Sequence, residues 1–470
     1  MNKLEGFDGH PYMANSNEQA RQAMLDAVGA TNLDQLFEQI PQDNLTDHQF
    51  SWPKELSSEH ELFQVVNKLL LRNQHCEDNL SFIGSGAYRH YVPAIVDTVI
   101  GRSEFLTPVF GTSSSDQGRM QAWFEFTSQL GELLDMEFVG LPVYSYGAAI
   151  GHALRMAARV NGRSKVIIPE ILDPEKMAVV NTYAGHPDLD GHLEVITCPC
   201  DIQTGLIDTD QLRVLLNDQV AAVYFESPNA LGSLEINASE IIQIARTQGV
   251  LSIMGVDPIT LGIVRSPGSL DCDICVGSIA SLGVHLNSGG GVAGFIASRD
   301  EERLVRQFPT LQVSLAKTTK QGELGFALTL FEQSSYAARE EGNDWTGNGV
   351  YLWAIAASVY MSLLGPEGFR EIGAAVLQRT SDLKRSLASV NGIQVLSPGT
   401  NFREVVVSFR DSGKSIKAIN DALLARGIFG GCDLAVMDSR LEGCALYCVT
   451  ELHSAEDIDQ LVQALKEILA

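Results

Sequence analysis

Apolar positions along the chain fall into three successive patterns. Through the first ~75 residues they come in short helical runs separated by Pro-containing links. In Ser57-Ser-Glu-His-Glu-Leu-Phe-Gln-Val-Val, Ser58 and Glu61 fit a capping box that opens such a run. From Ser81 to Thr310 helical and strand spacings alternate. Gln121 to Leu134, Gly147 to Val160 and Ile236 to Gln248 have helical spacing. Lys165-Val-Ile-Ile-Pro, Leu193-Glu-Val-Ile-Thr, Val220 to Glu226 and Val250 to Asp257 are short β-rich runs. Apolar strands alternating with amphipathic helices predict βαβ units and a mostly parallel sheet covered on both faces.

The third pattern begins with a helix over Tyr351 to Leu364, which Gly365-Pro366 is expected to stop. Gly392 to Leu396 and Arg403 to Phe409 read as strands of a smaller α+β domain. A last helix, with Ser454 as N-cap, carries Ile458, Leu461, Val462, Leu465, Ile468 and Leu469 on one face. The expected organisation is an N-terminal helical arm over 1–75, a large α/β domain over 76–330 and a small C-terminal domain over 331–470.

Length agrees with this, since 470 residues exceed one core at roughly 100–200 residues per domain. The N-terminus lacks a signal-type apolar segment, and no run approaches the ~18 apolar residues of a membrane span. A cytoplasmic protein without membrane contact is expected. The net charge of −25 argues against nucleic acid, whose phosphates require Lys and Arg, and otherwise reads as a solubilising surface.

Eight cysteines raise the question of metal. Cys272 and Cys275 form a C-x-x-C in a strand-like context, where odd spacing would send them to opposite faces. Cys198 and Cys200 share a face, but neither pair has a second C-x-x-C or an H-x-x-x-H nearby. No metal site is predicted, and the cysteines read as small hydrophobes.

A large sheet domain followed by a small one resembles the layout of fold-type I pyridoxal-phosphate (PLP) enzymes. That chemistry needs a helix N-terminus for the phosphate, an Asp facing the pyridine nitrogen and a Lys for the Schiff base. Asp257, at the end of an apolar strand in Gly-Val-Asp-Pro, stands where such an aspartate belongs; equally, it reads as the residue that opens the loop before Pro258. Ser145 and Gly147 stand near a helix start, either as a phosphate cradle or as an ordinary cap. No lysine occurs between Lys176 and Lys317, the interval where the Schiff-base lysine should come. Arg265 cannot replace it, because a guanidinium stays protonated. Gly289-Gly-Gly-Val-Ala-Gly lacks the Lys and Ser/Thr of a P-loop and reads as a turn with close backbone packing.

The stretch from Phe82 to Val96, Phe-Ile-Gly-Ser-Gly-Ala-Tyr-Arg-His-Tyr-Val-Pro-Ala-Ile-Val, resembles the glycine cleavage system P-protein family. So do Arg102 to Thr107, Gln117 to Phe126, Glu226-Ser-Pro-Asn, Gly255 to Gly262, Ala356 to Pro366 and Cys448-Val-Thr-Glu. The resemblance extends from about Ile40 onward and implies subunit 1 of a two-subunit glycine dehydrogenase (decarboxylating). PLP would be bound by the lysine of a homologous subunit 2, in a hetero-oligomer. Glycine would lose its carboxylate there, and the aminomethyl group would pass to the lipoyl arm of an H-protein. Carried over by motif, Tyr88, His90 and Tyr91, and with less support Thr107 and Gln117, would line the active-site mouth; the two tyrosines and the histidine read equally as packing groups. Ser145, Gly147, Asn229 and Asp257 would be a vestigial or partner-facing cofactor set.

The chain departs from the family at Val109 to Asp116, Asn287 to Gly291 and Arg339 to Asn348. These departures keep two alternatives open: a paralogue acting on another amino acid, and a non-catalytic scaffold or regulatory subunit.

Overall fold

The computed structural model describes residues 12–45, 51–52, 56, 58–106, 113–286, 293–328, 338–343, 345–346 and 350–470. They form two compact units, Met1–His75 and Cys76–Ala470. In the first, Asn17 caps α1 (Glu18–Val28) and a left-handed Gly29 closes it. The Ser58 side chain accepts the Glu61 N–H at the head of α2 (Glu59–Leu70), the bond expected of a capping box.

The second unit begins with β1 (Leu80–Ser81), α3 (Ala94–Ile100), α4 (Ser113–Leu134), β2 (Phe138–Val139) and α5 (Tyr146–Asn161). Then β3 (Lys165–Pro169), α6 (Pro174–Ala184), β4 (Glu194–Cys198), α7 (Thr209–Leu215) and β5 (Val220–Ser227) alternate. They are followed by α8 (Ala238–Thr247), β6 (Leu251–Val256), β7 (Ile274–Ser278), β8 (Gly294–Ser298) and α9 (Glu302–Val305). Strands β3 to β7 are parallel; β8 runs antiparallel to β7, and the sheet order is β2-β8-β7-β6-β5-β3-β4. Every residue of β5 and β6 is buried, because both faces are covered. Ile167 joins one apolar cluster with α4 and α8, while Val166 and Ile168 join the other with α5 and α6.

An antiparallel pair, β9 (Val313–Lys317) and β10 (Leu324–Leu328), follows and was not anticipated. The next element, α10 (Tyr351–Leu387), corrects the expected stop at Gly365-Pro366. Gly365 leaves helical geometry at φ 56°, ψ −177°, and Pro366 starts a second helical half, where its missing N–H costs nothing. The sequence signal marks a kink.

The small sheet is built from β11 (Gln394–Val395), β12 (Glu404–Ser408), β14 (Cys432–Asp433) and β15 (Cys444–Cys448), with α11 (Ile416–Leu424) beside it. The last helix, α12 (Ala455–Leu469), carries the full capping box of Ser454 and Asp457. Strand β1 pairs with β13 (Ile428–Phe429), and Ile83 bridges to Tyr447, so the segment after residue 80 is laid on this small sheet.

All eight cysteines are free thiols. Cys272 and Cys275 face the same core cluster, which corrects the opposite-face expectation. The strand starts only at Ile274, after a left-handed Asp271, so period-2 alternation does not span the pair. Of the Gly289 to Gly294 run, only Gly294, the first residue of β8, lies within the described residues together with Ala293. No described helix is long and apolar enough to cross a membrane.

Candidate functional site

Parallel sheets deliver loop residues to the carboxyl ends of their strands. Here those ends, the N-terminus of α5 and the head of β12 enclose a cavity of about 220 Å³. Its wall includes Tyr88, Ser145, Gly147, Asn229 and Asp257, five of the residues singled out in the sequence.

Asp257 follows β6 directly. Its Oδ1 accepts the Ile259 N–H at 3.0 Å and a bond from the Ser281 hydroxyl at 3.4 Å. It therefore opens the Pro258 turn and keeps its second oxygen, Oδ2, buried. That Oδ2 stands 2.6 Å from Nη2 of Arg403. The approach lies off the line of a directed hydrogen bond, so the contact is chiefly electrostatic.

Arg403 is the residue that sequence reading missed. It is 1% exposed and sits at φ 60°, a left-handed backbone uncommon outside glycine. Thr380 Oγ1 accepts its N–H at 2.8 Å. Its guanidinium carbon lies 4.1 Å from the centre of the Tyr88 ring. Nη1 donates to Nε2 of His90 at 2.6 Å. That bond makes Nε2 the acceptor, so Nδ1 is the donor to Glu451 Oε2 at 2.8 Å. The other Glu451 oxygen accepts the Tyr91 N–H at 2.8 Å. One chain of contacts thus runs Asp257, Arg403, His90, Glu451, Tyr91. Tyr91 is 60% exposed.

Burial raises the Tyr88 phenol far above its ordinary range, although Arg403 opposes this. Burial also lifts the Glu404 carboxyl to about 7, against the Ser85 N–H and Arg403. Glu451 goes the other way: burial would raise it, but His90 and the Tyr91 N–H take it down to about 2.

A second polar group lies across the cavity. Lys176, in the first turn of α6, points its Nζ at Glu226 Oε1 (2.7 Å) and over the Tyr146 ring (4.0 Å). Tyr224 donates to the same Glu226 oxygen at 2.6 Å. The sequence carried two signals for these groups. A lysine in a helix first turn opposes the helix dipole, and Arg403-Glu404 puts two charges against the buried run Val-Val-Val.

The remaining candidates separate. Ser145 accepts the Ala148 N–H and is an ordinary cap of α5. Gly147 lets α5 approach α6, since a Cβ there would lie 3.0 Å from Val179. Asn229 uses its amide on backbone groups: its oxygen accepts the Leu231 and Ser233 N–H in its own turn, and its nitrogen donates to the Thr204 carbonyl of another loop. Thr107 lies outside the described residues, and of Gln117 only its place in α4 is described.

The wall does not fit PLP as a fold-type I site holds it. The carboxylate that would face the pyridine nitrogen already has Arg403. Ser278 ends β7, and Ala280 and Ser281 fill the turn after it, where the lysine would come. Lys176 enters from another helix and is ion-paired.

The family model for the glycine cleavage system P-protein matches residues 10–465. A probable glycine dehydrogenase (decarboxylating) subunit 1 of Thermococcus kodakarensis is 36% identical over 462 residues, covering 98% of this chain and 99% of its own. A crystal structure of glycine decarboxylase (P-protein) in inhibitor-bound form shares 29% identity and a TM-score of 0.83, over 98% of this chain and 100% of that one. A sphingosine-1-phosphate lyase of Burkholderia pseudomallei superposes at TM-score 0.62 over 89% of this chain and 94% of its own, at 14% identity. That likeness concerns the fold alone, and the fold is that of the fold-type I PLP enzymes.

Proposed function

Because the chain belongs to the glycine cleavage system P-protein family, we propose that it is subunit 1 of a cytoplasmic, two-subunit glycine dehydrogenase. In this reading a homologous subunit 2 holds PLP and its lysine. Glycine is decarboxylated there, and the aminomethyl group passes to a lipoyl H-protein. The observation that carries the reading is the pairing of Asp257 with Arg403, which leaves this chain's own cavity unsuited to the cofactor.

This chain's part is to shape the mouth of the partner's site. Glu451 holds the His90 ring and the Tyr91 N–H, so the segment is rigid where it is tied and presents an exposed phenol at its end. A phenol so placed offers one hydrogen bond to a carboxylate or to the cofactor edge. Rigid presentation of such a donor lowers the cost of orienting a substrate.

The test is reconstitution with the lysine-bearing subunit and lipoyl H-protein. Glycine-dependent exchange of labelled bicarbonate is expected, with a clear loss for Tyr91→Ala. Turnover of another amino acid in place of glycine would make the chain a paralogue. An unchanged rate for Tyr91→Ala and for Tyr88→Ala would leave it a scaffold.

A further inference from the structure

We propose that Arg403 is an internal substitute for the cofactor ring: its guanidinium occupies the cation position opposite Asp257 and, in doing so, holds Tyr88 and His90 in place. The inference rests on the geometry around Asp257 and stands whichever amino acid the assembly consumes.

A carboxylate at the end of a buried strand needs a counter-charge, because an isolated charge is strongly disfavoured away from water. In a PLP enzyme of this fold a flat, protonated heteroaromatic ring supplies it. Here the counter-charge is also flat and delocalised, but it is covalently part of the chain. It arrives from the head of β12, in the small-sheet part of the unit, and not from the large sheet that carries Asp257.

Three observations indicate that the position is built for it. The backbone of Arg403 accepts a left-handed conformation to deliver the side chain. The guanidinium carbon lies over the Tyr88 ring, 4.1 Å from its centre, where a bound aromatic cation could also be met by that ring. Nε has no hydrogen-bond acceptor, and Nη2 meets Asp257 out of line. The fork is therefore placed by charge and by its cation–π contact with Tyr88 more than by saturating its donors. A further consequence is that Nη1 is left to hold His90. The Tyr88–Tyr91 segment is thereby organised without any cofactor in this chain.

The test uses the full chain and N-methylpyridinium, a flat cation that cannot form an imine, with tetramethylammonium as a bulky cation of equal charge. Unmodified protein is expected to keep the same Tm with either. Arg403→Ala is expected to melt lower, and low-millimolar N-methylpyridinium should recover part of the loss while tetramethylammonium does not. The ring NMR signals of His90 should shift in Arg403→Ala and return with N-methylpyridinium. No selective recovery, or equal stabilisation of the unmodified protein, overturns the proposal. If Arg403→Ala does not fold, Asp257→Asn/Arg403→Met decides. With both charges gone it should fold and ignore N-methylpyridinium; a double variant as unfolded as the single one, or one rescued by the probe, overturns the proposal.

Discussion

The buried carboxylate of Glu404 accepts the backbone N–H of Ser85 at 2.6 Å, tying two residues 319 positions apart. A Cβ at the preceding Gly84 would lie 2.6 Å from the same oxygen, so any larger residue there would have to displace this carboxylate. Burial raises this carboxyl from 4.5 to about 7. A proton is held more tightly in the folded than in the unfolded state, so the stability it contributes is present below about pH 4.5 and is lost as pH rises through about 7. Glu404→Gln keeps the acceptor without the charge. It should flatten the pH dependence between about 5 and 8 and gain roughly 1–3 kcal/mol over the unmodified protein at the alkaline end. Urea unfolding at a series of pH values checks this; parallel curves would refute it.

Glu451 gives the opposite sign. Its carboxyl lies at about 2 in the folded chain, so its contribution is present above about 4.5 and is lost as pH falls toward 2. Glu451→Gln should cost roughly 2–3 kcal/mol at neutral pH, with the two proteins converging in acid. Acid titration of the unfolding midpoint measures the difference, and a constant gap down to the lowest pH would contradict it.

Lys176 and Glu226 should behave as a unit. The Glu226 side chain is 2% exposed, so Lys176→Met strands a buried charge and is expected to cost about 3 kcal/mol. Adding Glu226→Gln should recover most of the loss, since Tyr224 can still donate to the amide oxygen. Additive losses in a double-mutant cycle would show that the pair is not coupled.

Gly365 isolates backbone strain from packing. Nothing lies within 4 Å of a Cβ built there, yet its φ 56°, ψ −177° is a region that other residues avoid. Gly365→Ala should cost about 1–3 kcal/mol. Gly399→Ala, also in open space but without a left-handed φ, should change stability by less than about 0.5 kcal/mol. Equal effects of the two would place the cost elsewhere.

What the sequence made legible follows from local physics. The parallel strands were visible because strands buried on both faces are near-continuous apolar runs, as in Val220–Phe225. Ser58, Ser145 and Ser454 were visible as caps because the bond they make is three residues away. Asp257 was visible because it ends such a strand. Arg403 was not, since its partners Tyr88, His90 and Asp257 come from distant sequence and no periodicity relates them. Lys176 served in the sequence only to bound a gap, and its meeting with Glu226 depends on how α6 packs over β5. Gly365-Pro366 was legible as a break but not as a kink, because the same pair serves both.

The ties from Tyr91 to Glu451 and from His90 to Arg403 join the two ends of the second unit. During synthesis the strands of the large sheet are all made before Arg403 and then Glu451 leave the ribosome, so the Tyr88–Tyr91 segment gains these two anchors late and in that order. A nascent chain, or one clipped between Arg403 and Glu451, would carry the large-sheet strands with the Tyr91 backbone untied, so the fixing of Tyr91 waits on Glu451.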